Sequence, residues 1–121
     1  MQGKRLERVN QLIKEEISLL LMRELKDPRL GFVSVTEVDT SPDLRHARVY
    51  VSVLGPEERW ASSIEALGRA RGFIWSWLRR HLDLRVTPEL DFRADRSMAH
   101  AAHIQSILAT LRQDSGGGPA S

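Results

Sequence analysis

The chain has 121 residues, of which 41% are hydrophobic and 28% charged, a balance that fits one domain with a modest core and leaves no room for two. With no cysteine, disulfides, thiolate nucleophiles and cysteine-ligated zinc are excluded. The formal net charge is only +2, with a pI near 9.5, so a polyanionic partner has to be argued from where the basic residues fall.

From about Lys4 to Leu25, Leu6, Val9, Ile13, Ile17, Leu20 and Leu21 recur at three- and four-residue steps between charges, which predicts an amphipathic helix. The segment is charged throughout and lacks the apolar centre of a signal peptide. No apolar run approaches the roughly 20 residues that cross a bilayer. A soluble, cytoplasmic, monomeric protein without a membrane partner is expected.

Lys26-Asp27-Pro28-Arg29 should end the helix, because the residue before proline is driven out of helical geometry. Two β-branched runs follow, Phe32 to Val38 and Arg45 to Leu54. In the second, Ala47, Val49, Val51 and Val53 alternate with Arg48, Tyr50 and Ser52, the period of a half-buried strand. "DTSPD" between them carries turn chemistry and predicts an antiparallel hairpin.

A helical pattern then runs from about Trp60 to Leu82, with Gly68 and Gly72 inside it, each costing about 1 kcal/mol relative to alanine. "LRVTPELDFRA" alternates again and predicts a third strand, its proline near the start. Ser97 is a good N-cap for a last helix to about Arg112, with Met98, Ala101, Ile104, Ile107, Leu108 and Leu111 inward. The domain is therefore expected over residues 1–112, with a disordered glycine-rich tail over 113–121. The order predicts an α+β fold: a three-stranded sheet with helices packed on one face.

Little in this order suggests catalysis. No phosphate-cradling loop is present, and Gly68 and Gly72 are not a dinucleotide fingerprint, because no strand runs into them. His100 and His103 sit one helical turn apart and could share a metal, but such a pair on an alanine-rich helix is more often incidental. No cofactor and no metal are expected.

The arginines are more informative. From Arg69 to Arg85, five arginines (69, 71, 79, 80 and 85) stand against one acid, Asp83, a local charge of +4. On a helix, Arg71, Trp75 and Arg79 form one stripe. Guanidinium groups flanking an exposed indole suit RNA, the cations for phosphate and the ring for stacking. Alternatively the stripe is a solvated basic face, with Trp75 packed under the loop from the hairpin. A helix that pauses at Gly72 would expose backbone N–H groups to an anion at the start of its second half. Gly68 would serve close packing, and Gly72 the kink.

Three stretches resemble one bacterial family, ribosome-binding factor A: "LKDPRLGFVSVTEVDTSPDLRHARVYVSVLG" (Leu25 to Gly55), "ARGFIWSWL" (Ala70 to Leu78) and "RVTPELDFRADRS" (Arg85 to Ser97). With the first helix, the similarity spans about Arg5 to Leu111. The resemblance implies a type II KH-like domain, α-β-β-α-kink-α-β plus a C-terminal helix, whose usual Gly-x-x-Gly loop is replaced by the kink Ala70-Arg71-Gly72. It also implies a non-enzymatic factor that binds the free 30S subunit through 16S rRNA and assists its late maturation, including 5′-end processing. Growth in the cold, and release promoted by a GTPase or another assembly factor, belong to the same implication.

On this reading Arg69, Ala70, Arg71, Gly72, Arg79 and Arg80 form the centre of an RNA face. Arg45, Arg48, Lys26, Arg29, Arg85, Lys4, Arg5 and Arg8 are peripheral candidates. Other readings are a KH-like protein for other RNAs, such as messages or small RNAs, and a protein-interaction module anchored by Trp60, Trp75 or Trp77.

Overall fold

Spacing of the apolar residues decides which face of each element turns inward. In the first helix, α1 (Gln2–Arg23), the three- and four-residue steps put Val9, Ile13, Ile17, Leu20 and Leu21 on one buried face. The computed structural model describes residues 2–23, 27–30, 32–97, 108–109 and 111. After α1 come a 3-10 turn (Pro28–Leu30) and the strands β1 (Val33–Thr40) and β2 (His46–Val53). The long helix α2 (Glu57–His81) and β3 (Glu89–Ala94) follow. Ser97, 108–109 and 111 are helical, while the rest of the predicted last helix, with His100 and His103, and the predicted tail lie outside the described residues.

The sheet order is β1-β2-β3, with β1 and β2 antiparallel as the turn residues predicted and β2 and β3 parallel. Alternation places Ala47, Val49, Val51 and Leu90 under the helices, where they join Ile13 and Ile17 of α1 and Leu67, Ile74 and Leu78 of α2 in one core. Both helices therefore cover a single face, and the α+β class read from the sequence is the one observed. Across the open face run Glu37, Asp39, Arg48, Asp91 and Arg93. Arg48 has Asp39 and Asp91 as its register partners, and Arg93 pairs with Asp91 at 2.8 Å. That face is mixed in charge, not basic.

α2 begins earlier than the apolar pattern predicts. Pro56 precedes it, Glu57 and Glu58 occupy its first turn, and Arg79, Arg80 and His81 its last, charges that suit both ends of the helix dipole. Before it, Gly55 takes φ +138°, and a Cβ there would come within 2.7 Å of Arg59 Cδ. Arg59 needs that space, because its guanidinium lies 4.1 Å from the Phe32 ring centroid and donates to the Leu54 carbonyl.

A register shift between Val35 and Glu37 leaves Thr36 out of the ladder, and its hydroxyl donates to Asp95 Oδ2 at 2.6 Å. The other oxygen of Asp95 accepts from the Ser97 hydroxyl and backbone N–H at 2.6 and 3.0 Å. Ser97 thus receives a cap from Asp95. The Ser97 hydroxyl above all, then Thr36 and the Ser97 N–H, hold the Asp95 carboxyl below its ordinary range. The stability it contributes is complete above about pH 4 and is lost as pH falls through its depressed folded-state value. Asp95→Asn should lower the melting temperature at pH 7 by a few degrees and flatten the acid limb of stability against pH, as read by thermal melts from pH 2.5 to 7.

Candidate nucleic-acid interface

α2 turns Leu67, Ile74 and Leu78 inward, so helical spacing leaves Gly68, Arg71, Gly72, Trp75 and Arg79 along its outer side. The helix runs unbroken from Glu57 to His81. No pause in the helical ladder occurs at Ala70-Arg71-Gly72, so the anion site of freed N–H groups expected there does not form. Those amides stay in the helical ladder because the inward residues on both sides of Gly72 hold the helix to one core, which outweighs about 1 kcal/mol per glycine. Ala70 is half-buried against that core.

Gly68 is exposed, and nothing lies within 4 Å of a Cβ built on it or on Gly72. The expectation that Gly68 serves close packing is therefore corrected. Neither glycine is needed by an internal contact or by a positive φ. Together they leave a strip of bare backbone on the outer face of the helix. Gly68→Ala and Gly72→Ala should each stabilise the fold by about 0.5–1 kcal/mol, a rise of roughly 2–6 °C in melting temperature by calorimetry. A fall would mean that the fold itself requires the bare backbone.

Arg71, Gly72 and Trp75 line an open groove of about 320 Å³, whose other wall is Glu89 and Leu90 of β3. Trp75 is half-buried, and its Nε1 donates to the Thr87 carbonyl at 3.2 Å. The loop before β3, and not the hairpin loop expected as its cover, thus fixes the indole, which borders the groove instead of standing free. The Arg79 guanidinium lies 5.6 Å from its ring centroid. Arg71 is exposed and has no hydrogen-bond or ion-pair partner among the described residues. Arg69 is also exposed but pairs with Glu65 one turn back, a surface contact that a phosphate can replace. Arg80 folds back toward the Ser76 carbonyl at 3.4 Å.

The two other tryptophans are committed internally. Trp77 Nε1 donates to Glu16 of α1 at 2.8 Å, and its ring stacks on His81 with centroids 3.8 Å apart. Trp60 is buried beneath the Arg96 guanidinium.

Of the peripheral candidates, Arg5, Arg8 and Arg85 come together at the end of the molecule where α1 starts and α2 ends. Lys4 is exposed in the first turn of α1. Arg45 precedes β2 and accepts the Glu89 N–H at its carbonyl. Arg48 stands on the open sheet face, away from α2. Arg29 belongs to the 3-10 turn, and Lys26 lies outside the described residues. Reading the sequence missed the β3 wall of the groove, for which only the alternation of Glu89 and Leu90 gave a signal.

A family model described as ribosome-binding factor A matches residues 5–108. The chain is 47% identical over 107 residues to ribosome-binding factor A of Thermomicrobium roseum, covering 88% of this chain and 83% of that one. It is 42% identical over 114 residues to that of Halothermothrix orenii, covering 94% and 93%. Among solved structures, the crystal structure of ribosome-binding factor A from Thermus thermophilus superposes with a TM-score of 0.67 at 28% identity, over 76% of this chain and 98% of that one. A homology model of the Thermus thermophilus factor, as fitted into a cryo-EM map of its complex with the 30S subunit, superposes with a TM-score of 0.61 at 30% identity, over 72% and 91%. The fold shared with these structures is KH-like.

Proposed function

The chain belongs to the ribosome-binding factor A family, and from that membership we propose that it binds the free 30S ribosomal subunit through 16S rRNA and assists its late maturation, without catalysis of its own. Processing of the 16S rRNA 5′ end, a role in the cold, a cytoplasmic location and release by a GTPase or other assembly factor are parts of the same reading. The observation that carries it is the outer strip of α2. Gly68 and Gly72 keep backbone bare where no internal contact asks for it, and Arg71, Arg79 and the edge of Trp75 surround it.

Such a strip reads a sugar–phosphate backbone better than base edges, because cations and an open helix surface meet phosphate while little of it can enter a groove. Arg69 and Arg80 extend the strip, and Arg45, Arg48, Arg29, Lys26 and Lys4 are its outlying candidates. Among the described residues no helix is long and apolar enough to cross a membrane. Sucrose-gradient fractionation tests the reading: the protein should travel with free small subunits and be absent from mature ribosomes. Preference for short single-stranded RNA over small subunits would point to other RNAs instead.

A further inference from the structure

We propose that a second groove, between the start of α1 and the α2–β3 loop, holds one unstacked nucleotide of single-stranded RNA, with its phosphate on Arg5, Arg8 and Arg85 and its base against Leu44 and Leu82. This rests on the reading that the chain binds RNA, but it places a contact that shares no lining residue with the groove at Gly72. The cavity measures about 480 Å³, within the range of small-ligand sites, and a smaller one of about 280 Å³ adjoins it across Arg5, Leu44 and Arg85.

Three observations point to an anion with an apolar part. First, Arg5, Arg8 and Arg85 arrive from two separate elements, and none has an ion-pair or hydrogen-bond partner among the described residues. Second, the first turn of α1 contains no acid and carries Lys4 and Arg5, cations set against the positive end of the helix dipole. α2 does the opposite at both of its ends. A bound anion would relieve the conflict in α1.

Third, Leu44 is the one non-glycine residue with positive φ, at +62°, among the described residues. The turn is built to keep it there: its N–H donates to the Ser41 carbonyl at 2.8 Å, while Asp43 accepts from the Ser41 hydroxyl and the Arg45 N–H. Leucine in this region is strained, and here the strain sets an apolar side chain in the wall that the two cavities share.

The mixture favours a nucleotide over an acidic peptide. Asp43 and Asp83 line the two cavities as acceptors, which a 2′-hydroxyl or a base amino group can satisfy and an acidic side chain cannot. A duplex offers the groove no free base.

Fluorescence anisotropy with 5′-fluorescein-labelled decauridylate, and with a ten-base-pair RNA duplex, tests the proposal at several salt concentrations. Arg5→Glu with Arg85→Glu should weaken decauridylate binding at least tenfold and lower the salt slope by about 0.7, the share of one phosphate on a single strand. Leu44→Gly relieves the backbone strain and removes the wall, so it should weaken decauridylate binding at least threefold with the slope unchanged and leave the duplex unaffected. Circular dichroism checks that both variants fold.

Unchanged binding in the arginine variant, full affinity in Leu44→Gly, equal losses for duplex and single strand, or no decauridylate binding by the unaltered protein would each overturn it. Co-sedimentation of the unaltered protein with small subunits is read separately, so a failure of the groove and a failure of the wider function are distinguishable.

Discussion

In a sucrose gradient, the protein carrying Arg71→Glu and Arg79→Glu should leave the small-subunit fractions at moderate salt while its melting curve stays close to that of the unaltered chain. Each guanidinium is expected to meet a phosphate through a charge-assisted hydrogen bond, worth about 1.5–3 kcal/mol, and reversing the sign adds repulsion. At least a tenfold loss of affinity should follow. The dependence of log K on log salt should fall by about two, one for each contact removed. The fold should survive, because Arg71 has no partner among the described residues and Arg79 contributes only its place over Trp75 and at the end of α2. A glutamate in that last turn costs about 0.3–1 kcal/mol against the dipole, too little to unfold a domain. Unchanged co-sedimentation would remove the outer face of α2 from the interface.

Ile74→Ala should have the opposite character: a severe loss of stability from a residue that no ligand could touch. Ile74 has no exposed surface and belongs to the single core that both helices share with the sheet. Truncation removes its burial energy and leaves a cavity that the neighbours close only in part, costing about 2–5 kcal/mol. That is a large fraction of the roughly 5–15 kcal/mol that holds a domain together. A urea melt should show a midpoint well below that of the unaltered protein with a similar slope. Two residues away, Gly72→Ala should raise stability, so adjacent positions on opposite sides of one helix should move the midpoint in opposite directions. Loss of less than about 1 kcal/mol at Ile74 would mean that α2 packs differently from this description.

Period carried much of this from the sequence alone. The alternation of Ala47, Val49, Val51 and Val53 and the steps from Val9 to Leu21 turned inward as expected, because burial is the strongest force acting on each residue. Glycine misled for the converse reason. A local preference against helix at Gly68 and Gly72 is a single small cost, and it was read without the tertiary contacts that outweigh it. Partners far apart in the chain were also illegible: Trp75 with the Thr87 carbonyl, Trp77 with Glu16, and Thr36 with Asp95. Arg48 could be counted as a cation, but only strand register shows that Asp39 and Asp91 stand beside it.

An α2 without a break also bears on how a complex would end. A hinge at Gly72 would have to be ordered on docking, and could be sprung to let go. A continuous 25-residue helix, about 37 Å long, presents its contact face already assembled. Association then forfeits little backbone freedom, and affinity is set by how long the contacts persist. Among the described residues α2 offers departure no such spring. Something would have to take the phosphates away from the arginines, through a competing ligand or a rearrangement of the RNA itself, so the timing of release would be written in the partner and not in α2.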